Sequence, residues 1–109
     1  MNFKLRILPR AERDVQQIFD FISERSSTGA VRWWKAFHEA ACRAASSPHA
    51  YPVAAEQLIS SFELRQFLFK TRRGRAYRGV FALVDDEVRI LRVRGPGQAS
   101  LTDDELSNE

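Results

Sequence analysis

The residues of this chain best suited to chemistry are its arginines, and they are unevenly spread. Residues 65–94 hold nine bases (Arg65, Lys70, Arg72, Arg73, Arg75, Arg78, Arg89, Arg92 and Arg94) against three acids (Asp85, Asp86 and Glu87), a local balance of +6. Residues 1–64 carry eight bases and seven acids, and the last fifteen residues have four acids and no base. Such asymmetry points to an anionic partner for the third quarter of the chain, either nucleic acid or an acidic protein segment. Guanidinium groups also stabilise the charge that builds on phosphate oxygens during phosphoryl transfer, provided another side chain moves the proton. Tyr77 is the nearest aromatic hydroxyl, but on an extended strand it alternates to the face opposite Arg78, where it packs.

Other chemistries find little support. His38 and His49 lie eleven residues apart with no Cys, His or carboxylate at ligand spacing, so no metal site is expected. Cys42 is alone, which excludes an intramolecular disulfide and reads as a small buried apolar residue on a helix. The consecutive acids Asp85, Asp86 and Glu87 alternate in direction and read as a turn. There is no nucleophile motif, phosphate loop or dinucleotide fingerprint, and no cofactor is expected.

At 109 residues, with 44 % apolar and 28 % charged residues, the chain suits one folded domain and is too hydrophobic for intrinsic disorder. No apolar run approaches the roughly 18 to 20 residues of a membrane span, and Met1 to Arg6 lacks the apolar core of a signal peptide, so a cytoplasmic protein is expected. Phe3, Leu5 and Ile7 alternate with Lys4, Arg6 and Leu8, predicting a strand. Pro9 suits the first turn of a helix over 9–25, with Glu12 and Asp14 near its positive end. Ala11, Val15, Ile18, Phe19 and Ile22 form its buried stripe. Ser26 to Gly29 breaks this helix and offers capping hydroxyls for the next, and a second helix over 29–46 carries Ala30, Trp33, Trp34, Phe37, Ala41 and Ala44 at helical spacing. Its alanines allow close approach of the first helix, and one tryptophan is expected in the core with the other at its edge.

Turn signals fill 46–61, with room for a single helical turn. Strand-like runs follow over 62–70, 75–84 and 88–94, joined by Thr71-Arg72-Arg73-Gly74 and by Asp85-Asp86. The expected fold is α+β, in the order β-α-α-β-β-β, with an antiparallel sheet and a two-helix hairpin on one face. Residues 1–98 form the domain and 99–109 an acidic tail, frayed or ending in a short turn. The other sheet face is expected to be open, with Arg65, Arg78, Arg92 and Arg94 converging on it and Lys70, Arg72, Arg73 and Arg75 ringing the hairpin at its edge.

Several segments in this order resemble a known family. They are Ala11-x-x-Asp14-x-x-x-Ile18-x-x-Phe21-Ile22, the aromatic-rich second helix, Leu64-Arg65-Gln66, Arg73-Gly74-Arg75-x-Tyr77-Arg78-x-x-Phe81, and Val88-x-Ile90-Leu91-x-Val93-Arg94. Together, over about residues 3–98, they are similar to the RelE/ParE toxins of type II toxin–antitoxin systems, the plasmid stabilisation protein type. The resemblance implies a small bacterial cytoplasmic protein neutralised by a cognate antitoxin, whose acidic or amphipathic segment wraps it, as a hetero-oligomer or beside a toxin homodimer. RelE-like members cut mRNA in the ribosomal A site, and ParE-like members poison DNA gyrase without a nuclease site.

By motif position, Arg78 matches the family's phosphate-gripping arginine, and Arg65 and Lys70 match basic positions on the preceding strand. These three are the catalytic candidates if the chain is a nuclease. RelE-like nucleases usually carry a further arginine and a tyrosine after the fourth strand, and many ParE-like relatives a His after the Val-Arg pair, whereas this chain has Gly95-Pro96-Gly97-Gln98-Ala99-Ser100-Leu101. The favoured expectation is therefore a ParE-like toxin that binds gyrase through Arg65, Lys70, Arg72, Arg73, Arg75, Arg78, Arg92 and Arg94, which equally suit an antitoxin. A ribosome-dependent endoribonuclease is the alternative, and an inactive or regulatory nucleic-acid-binding relic the third reading.

Overall fold

The structure is a computed structural model that describes residues 3–98, 100–102 and 104–106. The expected tail therefore lies partly outside the described residues, at Ala99, Asp103 and 107–109. The elements run β1 (Lys4–Ile7), α1 (Pro9–Ser23), α2 (Ser27–Ser46), two 3₁₀ turns (Pro48–Ala50 and Ala55–Ile59), β2 (Glu63–Phe69), β3 (Tyr77–Val84), β4 (Glu87–Arg94) and a last 3₁₀ turn (Asp104–Leu106). This is the predicted α+β order.

The sheet has the order β1-β4-β3-β2. The meander β2-β3-β4 is antiparallel, as its short turns require. β1 pairs parallel with β4 at the opposite edge, making the sheet mixed. Short turns govern only strands that follow one another directly, and both helices and a long connection separate β1 from its partner.

Helix boundaries follow local chemistry. Pro9 occupies the first turn of α1 with Glu12 beside it, and the Leu8 N–H bonds to the Ile90 carbonyl, so pairing with β4 runs straight into the helix. The Ser26 hydroxyl accepts the Gly29 N–H at 2.9 Å, which starts α2 two residues before its predicted position.

The main core lies between the helices and one sheet face. Trp33 and Phe37 of α2 meet Phe67 and Phe69 of β2, Phe81 of β3, and Val88, Ile90 and Val93 of β4. Ala40, Ala41, Ala44 and Ala45 keep α2 close. Trp34 is 44 % exposed and stacks on His38, so the two tryptophans divide as expected. Cys42 does not: it is exposed beside His38, correcting its reading as a buried residue, because it lies on the side of α2 turned from the alanine stripe.

The second sheet face is not open. Leu64, Val80, Ala82 and Leu91 form a smaller cluster on it, covered by Leu8, Ala54 and Leu101. The register passes from Val80↔Arg92 to Phe81↔Ile90, and this bulge leaves Leu91 as the extra residue on β4. Gly79, Val80, Phe81 and Ala82 are all buried, as in a strand covered on both sides.

Gly79 sits between Phe67 and Val93 in the ladders, and a Cβ there would run into the Phe67 ring, with Cε2 at 2.6 Å and Cε1 at 2.9 Å. Gly79→Ala is expected to destabilise the fold by about 1–3 kcal/mol through overpacking. Urea unfolding that leaves the midpoint unchanged would show that the ring has room to move.

Candidate functional site

The strand registers decide which arginines share a surface. Arg78 lies directly opposite Arg94, and Arg92 lies opposite Val80, so these three meet on the face away from the helices. Arg65 lies opposite Phe81, in phase with Phe67 and Phe69, and therefore belongs to the other face. The expected convergence of four guanidiniums is thus corrected to three. Arg65 turns along the β2 edge instead, donating to Glu63 at 2.7 Å and to the Tyr51 carbonyl.

Each of the three converging guanidiniums is held by a carboxylate of its own chain. Arg78 forms a two-pronged pair with Glu56, which is only 3 % exposed, and also donates to the Gln66 amide oxygen at 3.2 Å. Arg92 donates to both Asp14 oxygens, at 2.7 and 3.0 Å, and to the Glu105 carbonyl at 3.2 Å. Arg94 pairs with the Glu105 carboxylate at 3.2 Å. Arg89 is likewise taken by Glu87, at 2.7 Å. The surface read from sequence as an uncovered positive concavity is a charge-matched one. Its acids arrive from α1, from the long connection and from the C-terminal turn, none of which strand alternation includes.

Those carboxylates also satisfy backbone donors. Asp14 accepts the Val93 N–H at 2.9 Å, Glu56 the Leu101 N–H at 2.9 Å, and Glu105 the Thr102 N–H at 3.0 Å. Burial pushes the Glu56 carboxyl up, but the bonds from Arg78 and Leu101 more than offset this and lower its pKa to about 2. The bond to Asp14 raises the Arg92 pKa against the opposing effect of burial. The Thr102 N–H, with help from Arg94, lowers that of Glu105. Asp14 was legible as an acid on the apolar stripe, three residues after Ala11 and four before Ile18. Glu56 and Glu105 gave no periodic signal.

Among the described residues, the side-chain partners of the trio are these carboxylates and the Gln66 amide, and neither tyrosine joins them. Tyr77 lies on the core face, 5.4 Å from Trp33 and 5.8 Å from Phe69 between ring centres. Tyr51 packs edge-on against Phe81. No group of three or more His, Cys, Asp or Glu residues able to hold a metal occurs among the described residues.

The hairpin differs. Lys70, Arg72, Arg73 and Arg75 are exposed and form no ion pair or side-chain hydrogen bond with any described residue. Thr71 and Gly74 close the turn, the Gly74 N–H donating to the Thr71 carbonyl at 3.0 Å. Arg72 and Arg73, with Arg32 of α2, Thr71 and Gly29, line a cavity of about 360 Å³. A second, larger hollow of about 450 Å³ is lined by Ile7, Glu12, Val15, Gln16, Phe19, Trp34 and Phe37.

The buried pairs generate two predictions. Asp14→Ala leaves the Arg92 guanidinium and the Val93 N–H without their partner and is expected to cost about 3–5 kcal/mol. Replacing both Asp14 and Arg92 by apolar residues should recover part of that, and a double-mutant cycle in urea that finds the effects additive would reject the coupling. Glu56 has a folded-state pKa of about 2 against an ordinary 4.5, so its contribution to stability is complete above about pH 4.5 and is lost as pH falls towards 2. Glu56→Gln should flatten the stability profile over that window, as read by thermal melts across pH.

No helix among the described residues is long and apolar enough to cross a membrane. No curated protein and no solved structure matches the chain. The family described as the ParE toxin of the type II toxin–antitoxin system, parDE, matches residues 5–99, which spans the paired arginines and the basic hairpin alike. With nearly the whole chain so matched, the protein belongs to the ParE toxin family of type II toxin–antitoxin systems.

Proposed function

We propose that this toxin is of the non-nucleolytic kind, arresting growth from the cytoplasm by binding DNA gyrase, and that Lys70, Arg72, Arg73 and Arg75 of the basic hairpin make the contact. One observation carries the reading: Arg78, Arg92 and Arg94, the arginines best placed for a scissile phosphate, are each engaged by a carboxylate of the same chain. A phosphate entering there has to displace Glu56, Asp14 or Glu105, and Tyr51 and Tyr77 are turned away into aromatic packing with Phe81, Trp33 and Phe69. The hairpin cations carry no such partners among the described residues and are exposed.

Membership of the family implies an antitoxin partner. Its apolar positions have a ready surface in the hollow beside Phe19 and Trp34, and exposed Phe62 and Leu68 extend apolar surface along the β2 edge. An acidic stretch of the same partner reaching the hairpin neutralises the charges that contact the target.

Purified toxin added to gyrase and relaxed plasmid is expected to block supercoiling and trap cleaved complexes. Substituting Lys70, Arg72, Arg73 and Arg75 together by serine should weaken inhibition roughly ten-fold or more without moving the thermal melt. Full gyrase activity at toxin excess, with new mRNA cuts appearing on programmed ribosomes, would instead establish a nuclease.

A further inference from the structure

The cavity between the β2-β3 turn and the start of α2 has an unusual lining. Three of its five described residues are arginines (Arg32, Arg72 and Arg73), the others are Thr71 and Gly29, and neither a carboxylate nor an apolar side chain is among them. Arg32, Arg72 and Arg73 are exposed and have no hydrogen-bond or ion-pair partner among the described residues. Elsewhere the chain supplies an acid to each arginine of β3 and β4, whereas this concave cluster has none among the described residues. Like charges brought together without a counter-charge repel, and an anion that enters relieves all three at once. The first turn of α2 contains no acid, and its positive end adds to the same potential.

We propose that this cleft binds the phosphate backbone of duplex nucleic acid. The inference rests on the hairpin being a contact surface and goes further by naming its ligand. The lining separates phosphate from an acidic protein segment. The buried centre of a protein interface is depleted of charge, so this cleft fits only the rim of the gyrase contact, whereas nucleic-acid interfaces are polar and strongly basic throughout. Three planar guanidinium forks and a threonine hydroxyl offer many donors, matching the anionic oxygens of successive phosphodiesters. No aromatic ring lines the cleft for unstacked bases, which favours the backbone of a duplex over a single strand.

The test measures fluorescence anisotropy of a short labelled DNA duplex titrated with the intact toxin at several salt concentrations. Two triple variants are compared: Arg32→Gln, Arg72→Gln, Arg73→Gln in the cleft, and Arg13→Gln, Lys35→Gln, Arg43→Gln on exposed helix surface. Each phosphate contact contributes about 0.9 to the log–log salt slope, so the cleft variant should lose close to three in slope and at least ten-fold in affinity. The control variant should keep most of both. Replacing the three cleft arginines by lysine retains charge without the planar fork and should give intermediate affinity, which separates loss of the site from loss of the fold.

Equal weakening by both glutamine variants would mean diffuse attraction and overturn the cleft. So would wild-type binding that is absent at low salt, or a polyglutamate peptide that binds more tightly than the duplex with the same dependence on Arg72 and Arg73. Gyrase inhibition scored on the same proteins keeps the two readings apart. A cleft variant that binds DNA normally yet no longer inhibits gyrase removes the phosphate site and leaves the hairpin contact standing. Cleft-dependent DNA binding by a wild-type protein that leaves gyrase untouched does the reverse.

Discussion

β1 is four residues long and β4 is eight, so the second half of β4 has no strand on its outer edge. A backbone donor left there without water or a partner is costly, and the fold must find an acceptor from outside the sheet. It comes from α1, which follows β1 after one residue and brings Asp14 to the Val93 N–H. The same carboxylate then grips the Arg92 guanidinium, so one side chain completes the sheet edge and fixes the helix against it. The interior placement of that pair is tolerable because each oxygen is bonded: two charges brought out of water together need such geometry to avoid a net penalty.

That arrangement sets the distribution of charge over the rest of the molecule. Once the second sheet face is covered by Ala54 and Leu101, arginines on it cannot stay solvated, and Arg78, Arg92 and Arg94 each acquire an acid from outside the sheet. Glu56 also binds the Leu101 N–H, and Glu105 also binds Thr102, so the ion pairs double as tethers for the long connection and the C-terminal turn. The hairpin projects beyond this cover. Its arginines stay hydrated, make no structural bond among the described residues, and are the part of the basic segment whose charge is available to another molecule.

The fold was largely legible because its signals are local and periodic. Alternation marked the strands, the spacing of Ala11, Val15 and Ile22 marked α1, and Pro9 and Ser26 marked helix starts. What escaped were relations between distant segments: the parallel seating of β1, the bulge at Leu91, and the cover over the second face. That cover had a trace in the run Val80-Phe81-Ala82, apolar on both alternations. The site was less legible for the same reason. Charge counting located the basic segment, but whether an arginine is spent or free depends on acids 11, 22 and 78 positions away, and no short-range pattern encodes them. Arg32, from the second turn of α2, joined the hairpin cavity without any sequence signal.

The paired arginines also bear on how such a surface responds to an acidic binding partner. A carboxylate brought to Arg92 replaces Asp14 one for one, and the displaced acid then lies buried near its lost partners, so the exchange yields little net attraction. A carboxylate brought to Arg72 or Arg73 displaces only water and gains whatever exposed charge pairing is worth, an amount that salt reduces. On the proposed reading, durable binding of an acidic partner would draw on apolar burial in the hollow beside Trp34 and Phe37, with hairpin charge steering the approach. Association with an acidic partner should then slow as salt rises while dissociation changes little, because steering acts on encounter and burial acts on escape.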